Sequence, residues 1–378
     1  MGVLGGIIAI VVMEKVFRID YAKEAKKLRK IYPVGGRLRS ISVEVTNAAA
    51  CDRQLRDMFQ EYDWNLVFGR ILHDGKLRLA DWSTTLEMGD LVMLVGAEED
   101  LQGAVEVLGK RVDTNVHRDR NEYDVRRIFV SNPKATGRTI ASLNIHEKYN
   151  AIITRIRRGD TEMLAKGNTV LELGDRVRFI ARREDLDALS EYFGDSYQES
   201  SKVNLFSFGL GIGLGLLVGS IELSFGGDFS FKLGYAGGPL IVGLIFGALR
   251  RTGPVVWTLP YSANVTLQQI GLILLLATIG VRSGQAFVQS VTVEGAWIFL
   301  SSAVLSFAAA FSILIIGYKL IRLPFSLLIG MVANQPAILD FAASRSGNRI
   351  PLYGYAMVFP IALVAKILIS QILFMILS

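Results

Sequence analysis

Read for hydrophobic and polar positions alone, the 378-residue chain falls into two halves. Between about residues 36 and 198, short apolar runs alternate with polar turns: Leu38–Val45, Leu66–Leu72, Leu91–Val95, Ile128–Val130, Ala151–Ile156 and Val177–Ala181. That pattern predicts strands with interspersed helices. From Leu205 onward the runs lengthen and lose their charges: Leu205–Ile221, Gly237–Leu249, Leu267–Val281, Gly295–Leu320, Phe325–Ala343 and Tyr353–Leu377. A helix needs roughly 20 apolar residues to cross about 30 Å of hydrocarbon. These stretches predict five or six membrane segments, with either Gly237–Leu249 or part of Phe325–Ala343 re-entrant. The opening run Gly2–Met13 reaches only about 18 Å at 1.5 Å per residue. It lacks the basic start and small-residue cleavage site of a signal peptide. It reads as the inner end of a span whose beginning lies elsewhere (residues 1–19), or as an interfacial anchor helix.

Charge sharpens this division. Residues 201–378 hold 10 basic and 4 acidic residues, whereas residues 1–200 hold 31 of each, so the whole net charge of +6 sits on the apolar half. A soluble single domain, a disordered chain and a nucleic-acid binder are all excluded by that distribution. One cysteine, Cys51, removes disulfide frameworks and Cys-based zinc sites, and three scattered histidines leave little for a metal. The segment after the first run is basic (Lys15, Arg18, Lys23, Lys26, Lys27, Arg29, Lys30) and leads through a basic linker over 20–35, and Arg250-Arg251 and Lys319/Arg322 follow two spans apart. Because loops facing the cytoplasm carry excess Lys and Arg, residues of about 20–200 are placed in the cytoplasm and the Glu222–Lys232 loop outside.

The charged half repeats itself. Shifted by 85 residues, Leu86-Glu87-Met88-Gly89-Asp90 meets Leu171-Glu172-Leu173-Gly174-Asp175, and 10 of the 24 positions over 86–109 are identical. Asn65, Arg70, Ala80 and Thr84 meet Asn150, Arg155, Ala165 and Thr169 without a gap. Two modules follow, 36–115 and 124–198, each strands and then a helix that opens on acidic residues suited to a helix N-terminus. The Gly-Asp pair is read as a turn, glycine supplying positive φ, rather than as a ligand site.

The Leu86–Asp90, Val92–Gly96 and Glu99–Leu101 pattern resembles the TrkA-C domain, the C-terminal module of regulators of conductance. The second copy departs from the pattern at Ala181. The resemblance implies dimerisation and a small regulatory ligand or ion. No G-x-G-x-x-G follows a strand in residues 30–200, so the nucleotide-binding companion of that module is not expected here.

Three membrane segments carry a more specific resemblance: Gly237-Gly238-Pro239-Leu240-Ile241-Val242-Gly243 leading to Arg251-Thr252-Gly253-Pro254; Trp257–Asn264 followed by Ile279-Gly280-Val281-Arg282-Ser283-Gly284; and Gln335-Pro336-Ala337-Ile338-Leu339 followed by Gly354-Tyr355-Ala356 and Phe359-Pro360. Together they resemble the second membrane half of the aspartate:alanine exchanger family, in its YidE-like branch. That family joins two membrane halves by two TrkA-C modules, so the chain resembles the C-terminal part of a longer protein whose first half is absent. Phe359-Pro360 and Asn334-Gln335-Pro336 stand where many relatives have Tyr-Pro and Thr-Gln-Pro or similar, which bears on substrate identity.

Physical reasoning marks the candidate site residues. Proline disrupts the turn before it and leaves backbone groups unpaired, and in lipid such groups must line a cavity or find protein partners. Asn334, Gln335 and Pro336 in the middle of an apolar run therefore fit the broken helices at which secondary transporters bind solutes. The bland reading is a packed kink. Lys366, mid-way along an apolar run, is a functional candidate because a charge there is expensive; it would neutralise a carboxylate or couple to Asp340. Asp340 carries a coupling proton or cation or caps its span. Pro254 and Pro260, with Ser262 and Asn264 after them, form a second broken element or a surface loop. Arg282 is an interfacial anchor, and the glycines of Gly209–Gly219 mark close helix packing.

The fold expected is thus a polytopic α-helical membrane domain (203–378) preceded by two tandem α+β TrkA-C-like modules. No nucleophile–base pair, phosphate loop, cofactor motif or metal cluster argues for an enzyme. The family resemblance implies a secondary transporter, exchanging or uniporting small carboxylate-bearing solutes in the inner or plasma membrane, as a homodimer and without nucleic acid. The rivals are a ligand-gated channel-like protein and a non-transporting sensor or half-transporter.

Overall fold

The computed structural model describes residues 2–28, 38–113, 122–224, 230–289, 293–333 and 335–377. The chain opens with helices α1 (Gly2–Phe17) and α2 (Tyr21–Leu28). The first module runs β1 (Arg39–Val45), α3 (Leu55–Tyr62), β2 (Leu66–His73), β3 (Lys76–Leu79), β4 (Leu91–Gly96), α4 (Glu98–Leu108) and β5 (Gly109–Val112). The second runs β6 (Tyr123–Phe129), α5 (Ile145–Tyr149), β7 (Ala151–Arg158), β8 (Thr161–Leu164), β9 (Arg176–Arg182) and α6 (Leu186–Phe193). There follow α7 (Tyr197–Ser201), α8 (Leu205–Ser220), the β10–β11 ribbon (Glu222–Ser224, Ser230–Lys232), α9 (Gly234–Leu249) and the β12–β13 ribbon (Arg251–Thr252, Val255–Val256). The chain closes with α10 (Tyr261–Gln289), α11 (Val293–Ile315, continued by a π-helical turn over Ile316–Leu320), α12 (Phe325–Val332), α13 (Pro336–Ser346) and α14 (Ile350–Leu377). Two compact units result: residues 35–208 with 246–266, and residues 1–34 with 209–245 and 267–378.

In the first of these units both modules use one strand order, β3-β2-β4-β1 and β8-β7-β9-β6, to which the first module adds β5 at its edge. The repeat seen in the sequence is therefore a repeat of structure. Both carry a register irregularity at the same place, between Phe68 and Ile71 and between Ile153 and Arg155. Each sheet packs one face on its own helix, around Val43, Val92, Leu94 and Leu101 in one and Ile128, Val177, Phe179 and Leu189 in the other. Their remaining faces meet each other. Val67, Leu79 and Val95 of the first module share one cluster with their repeat partners Ile152, Leu164 and Ile180. Arg155 crosses this contact and donates to Leu38 O (2.9 Å) and Ser40 Oγ (2.7 Å). Burial pushes the Arg155 and Arg178 guanidinium pKa values down, and neighbouring arginines add to the effect.

The Gly-Asp pairs are turns, as the sequence indicated. Gly89 and Gly174 sit at φ 87° and 89°, where a side chain is strained. Asp90 and Asp175, 2% and 0% exposed, each accept from the backbone N–H three residues earlier, that of Glu87 (2.9 Å) and of Glu172 (2.8 Å). Each is also held by a basic side chain at the end of the neighbouring strand: His73 Nδ1 lies 2.7 Å from Asp90, and Arg158 Nε and Nη2 donate to Asp175 at 2.8 and 2.7 Å. His73 and Arg158 are repeat-equivalent, so one fold position carries a titratable latch in the first module and a permanent one in the second.

The apolar unit differs from expectation in its number of crossings. Among the described residues, four stretches are long and apolar enough to span: Tyr197–Ser220, Tyr261–Gly284, Gly295–Leu320 and Ile350–Phe374. Five or six were expected. The shortfall has two causes. Helix α9 has 16 residues, about 24 Å, and the run Phe325–Ala343 is split into α12 and α13. Glycines let α8 and α9 touch backbone to backbone: a Cβ on Gly238 would lie 2.2 Å from Gly215 O, so the expected close packing is seen at Gly215 and Gly219 but not at Gly209 and Gly213, which face open space. Helix α10 continues beyond Arg282 to Gln289, while the apolar stretch within it ends at Gly284, so Arg282 stands at the end of the span though not at the end of the helix. The Val255–Leu259 stretch is not a broken membrane helix either; it begins as strand β13, paired with β12 through Thr252↔Val255.

Helices α1 and α11 run parallel, Gly5 against Ser306 and Phe17 against Tyr318. With α12 and α13 they enclose a core of Ile10, Met13, Leu314, Phe325, Ile329 and Ala342. The N-cap position of α12 is Pro324, which has no side-chain acceptor. Its orphan N–H groups are met instead from α2: the Glu24 carboxylate accepts from Phe325 N (2.9 Å), Ser326 N (2.8 Å) and Ser326 Oγ (2.6 Å). A carboxylate at that end is also favoured by the helix dipole. At the far end of α13, Arg345 donates twice to Glu14 of α1, both at 2.8 Å, and Tyr21 Oη donates to the same carboxylate at 3.3 Å. Burial, and then the Glu14 charge, hold the Tyr21 phenol protonated far above its ordinary range.

Two outcomes follow from these contacts. Replacing Glu24 by Ala removes the α12 cap and should lower stability by roughly 2 kcal/mol; an unchanged melting temperature of the detergent-solubilised chain would refute the capping role. The Asp90 hydrogen bond raises the His73 pKa above its ordinary 6.5. The unfolded value is the lower one, so the latch stabilises fully below pH 6.5 and is lost as pH rises through the folded value. Melting temperature should therefore fall across that window in the wild type, and His73→Arg, which copies the second module, should abolish that part of the fall.

Candidate functional site

The sequence singled out the middle of Phe325–Ala343 because a proline there cannot continue a helix, and that is where the structure breaks. Helix α12 has 8 residues and α13 has 11, about 12 and 16 Å, so neither crosses the hydrocarbon alone. Pro336 opens α13 at a position where its missing N–H costs nothing. Gln335 is extended at φ −142° and its carbonyl accepts from Ile338 N (3.1 Å) and Leu339 N (3.3 Å). At the other side of the break Ala333 N donates to Gly330 O at 3.1 Å. Asn334 lies outside the described residues, as do Arg29 and Lys30 of the basic linker and the tip of the Glu222–Lys232 loop.

Beside the break is a cavity of about 340 Å³, lined by Gly6 of α1, by Leu305, Ser306, Ala309, Ala310 and Ile313 of α11, and by Val332 and Ile338 on either side of the interruption. Its walls are small and apolar, with the Ser306 hydroxyl as the polar side chain among them. The charges expected to serve a carboxylate are not gathered there. Asp340 and Lys366 are exposed, on α13 and α14, and neither forms an ion pair or hydrogen bond with a described residue. Gln335 is exposed and Pro336 half-buried.

Ser262 and Asn264 belong to the other compact unit. Both are exposed in the first turn of α10, where Asn264 N donates to Pro260 O (2.9 Å) and Ser262 O accepts from Thr266 Oγ1 (3.0 Å). The stretch before them is fastened to the second module. Arg251 Nη1 donates to Pro133 O (2.7 Å) and Thr136 O (3.1 Å), and the Tyr261 ring lies against the backbone of Gly159. In this segment Val255–Val256 form strand β13, and Ser262 and Asn264 already belong to α10. Glu172, in the turn beside it, has its pKa raised by burial, an effect that Arg158 opposes. Among the described residues no group of three or more His, Cys, Asp and Glu side chains is placed to hold a metal.

Sequence reasoning missed Glu14, Glu24 and Arg345, which fix the two halves of the broken helix from outside. The available signal was weak: two acids set in a basic segment, whose partners lie some 300 residues away (301 for Glu24–Phe325, 331 for Glu14–Arg345).

Residues 207–375 match a family model described as "Predicted Permease Membrane Region" (Asp-Al_Ex), and residues 125–194 match the TrkA-C domain. The match to TrkA-C takes in the second module alone. The expectation of two TrkA-C modules is corrected to one such domain, preceded by a sheet of the same strand order. An uncharacterized transporter of Geobacter sulfurreducens is 44% identical over 377 residues, covering 99% of this chain and 69% of its own length. One of Symbiobacterium thermophilum is 41% identical over 380 residues, covering 100% of this chain and 70% of its own length, and one of Corynebacterium diphtheriae is 36% identical over 379. These figures do not place the chain at either end of a longer protein. Among solved structures a GsuK RCK domain is similar at a TM-score of 0.22 and 10% identity, covering 43% of this chain and 64% of its own, too slight a likeness to bear on the fold. With a permease membrane region, a TrkA-C domain and transporters as relatives over nearly its whole length, the chain belongs to the Asp-Al_Ex permease family of membrane transporters.

Proposed function

We propose that the protein is a secondary transporter that exchanges or uniports small carboxylate-bearing solutes, such as amino acids or dicarboxylates, under the control of its TrkA-C domain. The observation that supports this most is the interruption between α12 and α13. A break in the middle of an apolar run frees main-chain groups from the helix ladder, and a solute or ion can meet such groups where hydrocarbon cannot. The cavity beside it gives room for the apolar part of such a solute. Gln335 and Asn334 are the amides proposed to meet its polar end. Lys366 is proposed as the carboxylate's counter-charge and Asp340 as the carrier of a coupling proton or cation. Ser262 and Asn264 are assigned to the mouth of α10 and not to the solute site. The charged modules are placed on the cytoplasmic side of the inner or plasma membrane, by the basic residues that flank the helices.

The docking of Arg251 and Tyr261 on the second module supplies a mechanical route for regulation, since the docked stretch leads directly into α10. A small ligand or ion at the modules would act through that stretch. The sheet faces of the two modules are already used against each other within one chain, so the homodimer proposed here pairs through other surfaces.

Counterflow in reconstituted vesicles tests the reading. Saturable exchange of a labelled amino acid or dicarboxylate is expected, falling to background in Pro336→Ala and in Lys366→Ala although both insert normally. Wild-type counterflow in both variants would refute the site, and unitary currents without counterflow would refute the transporter in favour of a channel.

A further inference from the structure

At the end of the apolar unit where α1 and α11 finish, positive charge gathers that the candidate site does not use. Lys15, Arg18, Lys23, Lys26, Lys27, Lys319 and Arg322 are all exposed. They form one surface. The ring centroids of Phe17 and Tyr318 are 5.3 Å apart, and Lys319 Nζ stands 5.2 Å from the Phe17 ring. Acidic residues there are mostly committed elsewhere, Glu14 to Arg345 and Glu24 to the start of α12, which leaves Asp20, whose carboxylate accepts from Lys23 N at 3.0 Å.

Helix α2 is divided lengthwise. Lys23, Lys26 and Lys27, spaced three and four apart, share one face. Tyr21, Glu24, Ala25 and Leu28 share the opposite face and pack inward, Tyr21 against Phe325 (ring centroids 6.2 Å apart), and Ala25 and Leu28 against Leu327 and Ile350. The cations lie in the last turn of, or just after, an apolar helix, α1, and the spanning stretch Gly295–Leu320. That is the depth at which phospholipid headgroups lie, and basic amphipathic helices bind there.

We propose that α2 is an interfacial helix whose Lys23, Lys26 and Lys27 face binds the anionic phospholipid headgroups of the surrounding bilayer, and that Glu24, on its other face, passes this contact to α12, the first half of the broken helix. The inference rests on the membrane assignment and not on the transport reading. Headgroup charge draws α2 onto the bilayer surface. A seated α2 keeps the Glu24 carboxylate over the Phe325 and Ser326 amides. In a neutral bilayer α2 loosens and the cap is released more often.

Amide hydrogen exchange on the full chain tests this, in phosphatidylcholine vesicles with and without phosphatidylglycerol. With the anionic lipid, exchange at residues 23–28 and at Phe325 and Ser326 is expected to slow by about tenfold or more. The effect should vanish near 1 M salt, where the screening length is about 3 Å, and in the K23E/K26E/K27E variant. Equal exchange in both lipids, or protection that survives salt or the triple substitution, would overturn the lipid site. Protection of α2 without any change at Phe325 and Ser326 would overturn its link to α12. Should the triple variant fail to insert, the lipid and salt comparisons on the wild type decide the matter.

Discussion

A helix interrupted within an apolar segment leaves main-chain groups that lipid cannot satisfy, and the rest of the apolar unit is arranged around that constraint. Proline at the start of α13 and proline before α12 fix where the two pieces begin, but neither supplies a cap. The cap for α12 comes from Glu24, and the anchor for α13 from the Glu14–Arg345 pair. The N-terminal segment thus holds both pieces of the broken helix, while α1 packs along α11 and lines the cavity beside the break at Gly6. The outer ends of the helix pair are held by charges, and Ala333 and Ile338 on either side of the break are packed into the core that α1 and α11 share.

In the charged unit the organising constraint is the face of a sheet. Each module has one helix-covered face and one bare apolar face, and a bare face must be covered. Tandem duplication meets that need within a single chain, since the bare face of one module fits that of its copy through Val67, Leu79, Val95 and their repeat partners. Divergence between the copies is then visible as chemistry. The latch on the Gly-Asp turn is His73 in one and Arg158 in the other, and the second module is the one that receives Arg251 and Tyr261.

What the amino-acid sequence disclosed was local or periodic. The Gly-Asp turns follow from glycine at positive φ, the break from Pro336, and the module helices from acidic starts such as Glu98-Glu99-Asp100. The repeat was readable because equivalent residues lie a constant distance apart. What stayed hidden depends on partners distant in sequence. Nothing near Glu24 identifies Phe325 as its partner, and nothing near Arg155 points to Leu38 and Ser40. The count of spans erred for a related reason: hydropathy registers that Gly237–Leu249 and Phe325–Ala343 are apolar, but whether such a run crosses is settled by its length and its interruptions.

The central claim is that the interruption between α12 and α13 opens onto water within the membrane. Cys51 is the single cysteine, so Gln335→Cys in a Cys51→Ser background gives one reporter thiol at the break. The direct measurement is its modification by a small, membrane-impermeant thiol reagent in reconstituted vesicles. Ready modification of the folded protein, slowed by a transported carboxylate, is the predicted result. A thiol that reacts only after unfolding in detergent would mean a packed kink, and the site proposed here would be contradicted.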